Sequence, residues 1–287
     1  MRDLPVKWGI SLANRGALFG LTDVDDLIET AVAAEESGVF ESVWVGDSLI
    51  HKPRLDSIVM LSAAATRTEK VRLGTICLAS FPVRHPVLLA IQWASLDQLS
   101  KGRTILGVCI GGGHEGEMRA FGVQKNERVG RLTEGIKLLR KIWSDEEVNH
   151  RGKYFTLEGY RIVPKPAQKP CPIWIAVSPD RAVVGDEGVA RAMKRVATLG
   201  DGYISMPVAP EEMARRLDLI ENTLAKPAEA STASRSRSTA WSISTMTGEQ
   251  LTTRRNITLI ITTFPAIRPK SYYKFGWRMV RPNSAPA

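Results

Sequence analysis

Five places in this 287-residue chain put small or polar residues directly after an apolar run: Asn14-Arg15, Asp47-Ser48, Cys77 through Ser80, Gly111-Gly112-Gly113-His114 and Ser178-Pro179-Asp180. Three consecutive glycines let a ligand approach backbone amides closely, although such a triplet is also a plain turn. Ser178-Pro179, ahead of a helical segment, offers N–H groups and a positive dipole end to a phosphate. Asp47 could accept hydrogen bonds from a ligand's N–H or hydroxyl groups, or it could cap a helix or loop. His114 follows the glycines and is the best placed acid/base candidate, whereas His85 precedes Pro86 at a helix start and reads as a cap. His51 falls in a loop and His150 in an insertion. No stretch has metal-ligand spacing, a nucleophile elbow or a P-loop, so hydrolytic chemistry has no visible machinery.

The elements that must position these residues alternate. Strand-like runs at 7–12, 42–46, 71–78, 104–110, 172–177 and 202–205 are separated by helical segments at 22–37, 55–66, 86–99, one with Val129, Leu132, Ile136, Leu139 and Trp143 on one face, and further ones at about 183–198 and 210–224. In the first helix Val24, Leu27, Ile28 and Ala31 form one apolar face, Thr22 is placed to cap, and Gly38 stops it. Mostly apolar strands between amphipathic helices predict a parallel sheet covered on both faces, with chemistry at the strand C-termini. Residues 148–170 interrupt the rhythm with an expected β-hairpin and a Pro-rich connector. That makes six β-α units where a closed barrel needs eight, and the remaining sequence supplies two more poorly.

Composition narrows the class. At 44% hydrophobic and 24% charged the chain is an ordinary globular sequence, which excludes disordered, collagen-like and coiled-coil readings. No run approaches the roughly 18 apolar residues of a spanning helix, and the N-terminus has too short an apolar core for a secretory signal. Cys77, Cys109 and Cys171 are an odd count, two of them inside apolar runs, which predicts free thiols in a cytoplasmic protein. The net charge of +9 is not spread evenly: residues 225–287 hold ten basic and two acidic residues, a net of +8, and the body is nearly neutral. This tail is Ser/Thr-rich, has one apolar run at 257–264, and ends Pro-rich. It is expected to have no fold of its own, or to reflect a change of reading frame near residue 225, more than to be a basic arm for phosphates.

The stretches VRLGTICLASFPVRHPVLLAIQWASLDQLSKGRTILGVCIGGG, FGVQKNERVGRLTEGIKLLRKIW, YFTLEGYRIVPKPAQKPCPIWIAVSP and GDGYIS resemble the bacterial luciferase-like superfamily over about residues 5–222. The resemblance implies a TIM-like (β/α)8 barrel over 1–224, with an insertion at about 148–170 and its last two β-α units missing or replaced by the 225–287 tail. It also implies a homodimer, with a separate flavin reductase as a further partner, and neither nucleic acid nor membrane. The activity it implies is an oxidoreductase using reduced FMN and oxygen on a small organic substrate. The alternatives are hydride transfer with a deazaflavin coenzyme, or a non-catalytic flavin-binding protein or truncated inactive copy. Carried over by motif, Asp47 is the acid after the second strand, followed here by Ser48 where the family often has His. Ile76-Cys77 matches a flavin-supporting non-proline cis peptide, and Ile110-Gly111 and Ser178-Pro179 match positions near the cofactor ring and phosphate. Substrate walls are expected from loops 13–21 and 50–54 and from the insertion.

Overall fold

The computed structural model describes residues 7–111 and 115–225, together with two short strands at 242–243 and 258–262. In chain order the elements are β1 (Lys7–Leu12), α1 (Val24–Glu36), β2 (Phe40–Gly46), α2 (Ser57–Arg67), β3 (Arg72–Cys77), α3 (Pro86–Leu99) and β4 (Thr104–Val108). There follow α4 (Glu115–Ala120), α5 (Arg128–Ser144), β5 (Val148–Arg151), β6 (Thr156–Tyr160), β7 (Ile173–Ala176), α6 (Arg181–Leu199), β8 (Gly202–Ile204), α7 (Pro210–Ala225), β9 (Ser242–Ile243) and β10 (Thr258–Thr262). A curled parallel sheet runs in the order β10-β1-β2-β3-β4-β7-β8-β9, and β5 and β6 form a separate antiparallel hairpin. The β-α alternation expected from hydrophobic periodicity is therefore present throughout the body.

Part of the tail departs from expectation. Its 257–264 apolar run contributes β10, which pairs in parallel with β1, and β9 pairs in parallel with β8. Two strands thus extend the six-stranded sheet at its edges, because an exposed strand edge recruits whatever β-prone segment can reach it. The remainder of the tail lies outside the described residues, and α7 is the last helix among them.

The strand faces divide into two apolar regions. One face packs against the helices through Leu12, Val43, Val45, Leu73, Leu106, Val108, Ile173 and Ile175. The other is filled by Trp44, Ile105, Trp174 and Ile204, with Ile76 and Ala176 against them. Trp44 and Trp174 lie tilted at 39° with ring centroids 5.4 Å apart. Glycines on neighbouring strands make the room: a Cβ on Gly202 would sit 2.7 Å from the Trp174 ring, one on Gly9 2.7 Å from Trp44 Nε1, and one on Gly74 would run into the Trp44 ring. The Trp44 indole N–H is satisfied by the Ser42 hydroxyl at 2.8 Å.

Local signals act much as the sequence suggests, with one shift. The carboxylate of Asp23, not the Thr22 hydroxyl, caps α1 by accepting from the Asp26 N–H at 2.7 Å, since a negative group suits the positive helix end better. His85 caps α3 through Nδ1, which accepts from the Val87 N–H at 3.3 Å. At the N-terminal ends of the strands, Arg103 donates to Ser100 O, Ala65 O, Thr68 O, Thr68 Oγ1 and Val71 O, and the Glu35 carboxylate accepts from the N–H groups of Glu69, Lys70 and Val71. The hairpin is anchored by Glu134, whose carboxylate accepts from the N–H groups of Lys153, Tyr154 and Phe155 and contacts His150 Nε2 at 3.1 Å.

Two expectations about β3 are corrected. Cys77 and Cys109 are joined in a disulfide with Cα atoms 5.7 Å apart, because the parallel sheet sets the ends of β3 and β4 side by side. Cys171 alone is free, and burial pushes its thiol up to about 12. The Ile76–Cys77 peptide is trans, the lower-energy form for a non-proline bond; the cis bonds among the described residues are Val163–Pro164 and Lys169–Pro170.

Three outcomes follow. Replacing Gly202→Ala forces a methyl against Trp174 and should lower stability by roughly 1–3 kcal/mol, read as a shifted urea midpoint at unchanged slope. For Glu134, burial raises the carboxyl, but hydrogen bonds from His150 and three backbone N–H groups outweigh it, so its pKa is lowered. Its ionised form therefore stabilises the fold above the unfolded value of about 4.3, and this contribution is lost as pH falls through the lower folded value. Wild type should melt above Glu134→Gln at pH 7, the gap closing in acid; a gap independent of pH would defeat the account. Finally, alkylating the denatured chain without reductant should label one thiol, and with reductant three; three labels without reductant would show Cys77 and Cys109 free.

Candidate functional site

The C-terminal ends of the strands gather most of the sequence-nominated residues onto one rim. Asn14 and Arg15 follow β1, Asp47 follows β2, Ile76 and Cys77 end β3, Cys109, Ile110 and Gly111 follow β4, and Ser178 and Pro179 follow β7. His114, the acid/base candidate, lies with Gly112 and Gly113 outside the described residues.

The centre of the rim is the junction of β3 and β4. Their ladder pairs Leu73 with Thr104 and Gly74 with Ile105, then opens, and Leu78 bridges Val108 further on. Thr75 spans the gap with its side chain: its hydroxyl donates to Gly107 O at 2.7 Å and accepts from the Gly107 N–H at 3.0 Å. The register shift between Val45 and Gly46 places Gly46 opposite Cys77. Beside this junction Ile76 packs on the interior tryptophan cluster, Ile110 on the helix-facing core, and Cys77 and Cys109 are joined by their disulfide. Gly111 has φ +80°, and a Cβ there would sit 2.7 Å from Ala79 O and strike the Met118 methyl, so this turn requires glycine.

Asp47 is a tether. Its side chain is only 3% exposed; Oδ2 accepts from the Ser80 N–H at 2.8 Å and Oδ1 from the Ser57 hydroxyl at 3.3 Å, with Arg84 Nη2 3.9 Å away. One carboxylate so joins the end of β2, the start of α2 and the β3–α3 connection. Glu117 on α4 does the same for the loop after β2, accepting from the N–H groups of Leu49 at 3.0 Å and Ile50 at 2.7 Å while 7% exposed. Asn14 joins β1 to β2: its amide donates to Gly46 O and Leu55 O, both at 2.8 Å.

At the β7–β8 side a cavity of about 410 Å³ opens between Ser178, Pro179, Val208, Ala209 and Arg216. Arg216 is 3% exposed and fully engaged: Nε donates to Glu212, Nη2 to Pro179 O at 2.8 Å, and Nη1 to Ser178 Oγ at 3.0 Å, with Tyr203 and Ser205 hydroxyls at 3.3 Å. Hydrogen bonds from Arg215, and then from Arg216, hold the Glu212 carboxyl below the usual range against its burial. The Ser178 hydroxyl therefore accepts from Arg216 and keeps its own proton to donate. Asp180 caps α6 by accepting from the Ala182 N–H at 2.9 Å, so a carboxylate already occupies part of that helix end.

Arg216, Glu117 and Thr75 carry this geometry without having been singled out in the sequence. Each makes a contact to a residue at least 32 positions away, so no local pattern marks it.

Comparison with known proteins agrees with this architecture. The family model for luciferase-like monooxygenase matches residues 6–252, which runs past the 222 at which the resemblance in sequence was expected to stop. The F420-dependent glucose-6-phosphate dehydrogenase of Amycolatopsis mediterranei is 36% identical over 189 residues, covering 62% of this chain and 52% of its own length; the chain spans about half the length of the curated relatives it matches. Among solved structures, an F420-dependent secondary alcohol dehydrogenase superposes with a TM-score of 0.63 at 21% identity, covering 84% of this chain and 69% of that one. The oxygenating constituent of the 3,6-diketocamphane monooxygenase of Pseudomonas putida gives 0.65 at 18%, covering 83% and 66%. With the model matching most of the chain, and parallel strands delivering the nominated residues to one rim, the chain belongs to the luciferase-like monooxygenase family.

Proposed function

We propose that this protein is an oxidoreductase that transfers hydride between a small organic substrate and a deazaflavin coenzyme, in preference to an FMN-dependent oxygenase. The observation that carries the choice is the 36% identity to an F420-dependent dehydrogenase over 189 residues, 62% of this chain. The residues fit such a coenzyme. Ile76, the Cys77–Cys109 disulfide and Ile110 offer apolar groups beside the β3–β4 junction to a flat ring system, and Ser178, with a hydroxyl proton free to donate, faces the 410 Å³ cavity where a phosphate-bearing chain fits. When bound, the coenzyme supplies the hydride acceptor, and the protein's part is to bind, orient and exclude water.

On this reading Asp47 is a positioning residue, because its oxygens are engaged by Ser80 and Ser57, and the proton passes to His114. Ile76, Cys77, Ile110 and Gly111 hold the ring side, and Ser178 and Pro179 the phosphate side. FMN with oxygen is the second reading, favoured by the fold shared with the FMN-bound monooxygenase constituent. No described helix is long and apolar enough to cross a membrane.

Titrating the full chain with the deazaflavin coenzyme and, separately, with FMN, while following fluorescence quenching, tests the choice. Saturable binding of the deazaflavin at least ten-fold tighter than FMN is expected. Tighter FMN binding, with oxygen uptake in the presence of a reductant, would replace the reading by the oxygenase one. Binding of neither would overturn both.

A further inference from the structure

The loops after β1 and β2 hold an electrostatic imbalance that neither the fold nor the tethers explain. Three guanidiniums, Arg15, Arg54 and Arg84, meet two carboxylates, Asp47 and Asp56. Arg84 takes both: its Nη2 lies 2.9 Å from Asp56 and 3.9 Å from Asp47. Asp47 also receives the Ser80 N–H and the Ser57 hydroxyl, and Asp56 caps α2 through the N–H groups of Ile58 and Val59. Arg54 makes one hydrogen bond, a long one from Nη1 to Asn14 Oδ1 at 3.3 Å. The Nε atoms of Arg15 and Arg54 are both buried without a hydrogen-bond partner among the described residues.

Position makes this imbalance informative. Arg54 lies across the end of β2, its Nη1 and Cζ 3.1 and 3.2 Å from where a Gly46 Cβ would sit, and Gly46 pairs with Cys77 at the end of β3. Asn14 is held by Gly46 O and Leu55 O, so its Oδ1 is fixed as the acceptor that steers Arg54. Arg15 stands near enough for its charge to be felt, with its guanidinium carbon 5.3 Å from the Phe19 ring centroid. Burial lowers the Arg54 pKa, the Arg15 charge lowers it further, and Asp47 offsets only part. Partly buried like charges are costly, and an oxyanion accepting from Nη groups of the two side chains offsets that repulsion.

We propose that Arg15 and Arg54 form an oxyanion subsite that binds a carboxylate or phosphate group of the substrate, at the β1–β2 side of the rim. This assignment rests on the deazaflavin reading for what the bound molecule does, because a coenzyme lying over β3 and β4 towards Ser178 leaves the β1 and β2 ends to the substrate. A guanidinium pair suits a planar or tetrahedral oxyanion through paired N–H donors, which a lysine would not reproduce.

The test needs no turnover. The full chain is melted at constant ionic strength in rising inorganic phosphate, or rising acetate, with chloride as the reference, for wild type, Arg15→Gln, Arg54→Gln and Arg54→Lys. A saturable rise in Tm is expected in wild type, with the apparent affinity falling at least ten-fold in both glutamine variants and less in Arg54→Lys. The ion with the stronger response identifies phosphate or carboxylate as the group bound. A rise that survives unchanged in both glutamine variants puts the ion elsewhere and overturns the subsite, as does no rise above chloride in wild type. Variants that melt without cooperativity are replaced by Arg15→Met and Arg54→Met, which keep the apolar stem and are judged by the same criteria. If the ion response follows the arginines while the coenzyme fails to bind, the subsite stands and the deazaflavin reading falls; the converse result separates them the other way.

Discussion

Everything on the rim depends on how the interior face of the sheet is filled. Two indole rings, Trp44 and Trp174, occupy space that would otherwise hold side chains from several strands, and Gly9, Gly74 and Gly202 yield their Cβ positions to them. A pair of tilted rings leaves no room for a Cβ at these three glycines, so the packing of β1, β3 and β8 against β2 and β7 is specified there. Ile76 and Ala176 pack on this plug. They are the last interior positions before the rim begins.

Around the plug, at both ends of the sheet, the connections are held by one repeated device. A carboxylate on one element collects backbone N–H groups from another: Asp47 from Ser80, Glu117 from Leu49 and Ile50, Glu134 from residues 153–155, and Glu35 from residues 69–71. Such groups lack a partner in loops, and an ionised acceptor satisfies two or three at once. The device also uses up these carboxylates. Donors stand beside them, namely the guanidiniums of Arg15 after β1 and Arg54 after β2 and the Ser178 hydroxyl.

The alternation of strands and helices was readable because burial on one face imposes a period, and six units in sequence became six in space, with boundaries within a few residues. The plug was not readable. A tryptophan in a strand looks like one more apolar residue, and the glycine that admits it sits on a different strand. The Cys77–Cys109 bond was hidden for the same reason, its partners being 32 residues apart and each lying in an apolar run. Asp47 was found as a rim residue, but its engagement by Ser57 and Ser80 belongs to three connections at once. In the tail, whose composition is that of an unstructured arm, the one apolar run lies beside an open sheet edge and pairs there as β10. Arg54 was visible only as the end of a loop, since what distinguishes it is the missing counter-charge.

The ends of the sheet are built to different standards. At the N-terminal ends, Arg103 alone ties three carbonyls of the α2–β3 turn to its own, and Glu35 closes the same turn from α1. The rim leaves Leu18, Phe19, Leu21, Ile50 and Met206 exposed on its loops. Substitutions at those loop positions touch neither the plug nor the closed turns, so their cost in stability is small. Selection can therefore redraw the mouth of this scaffold, residue by residue, to admit new molecules without first finding compensating changes in its foundation.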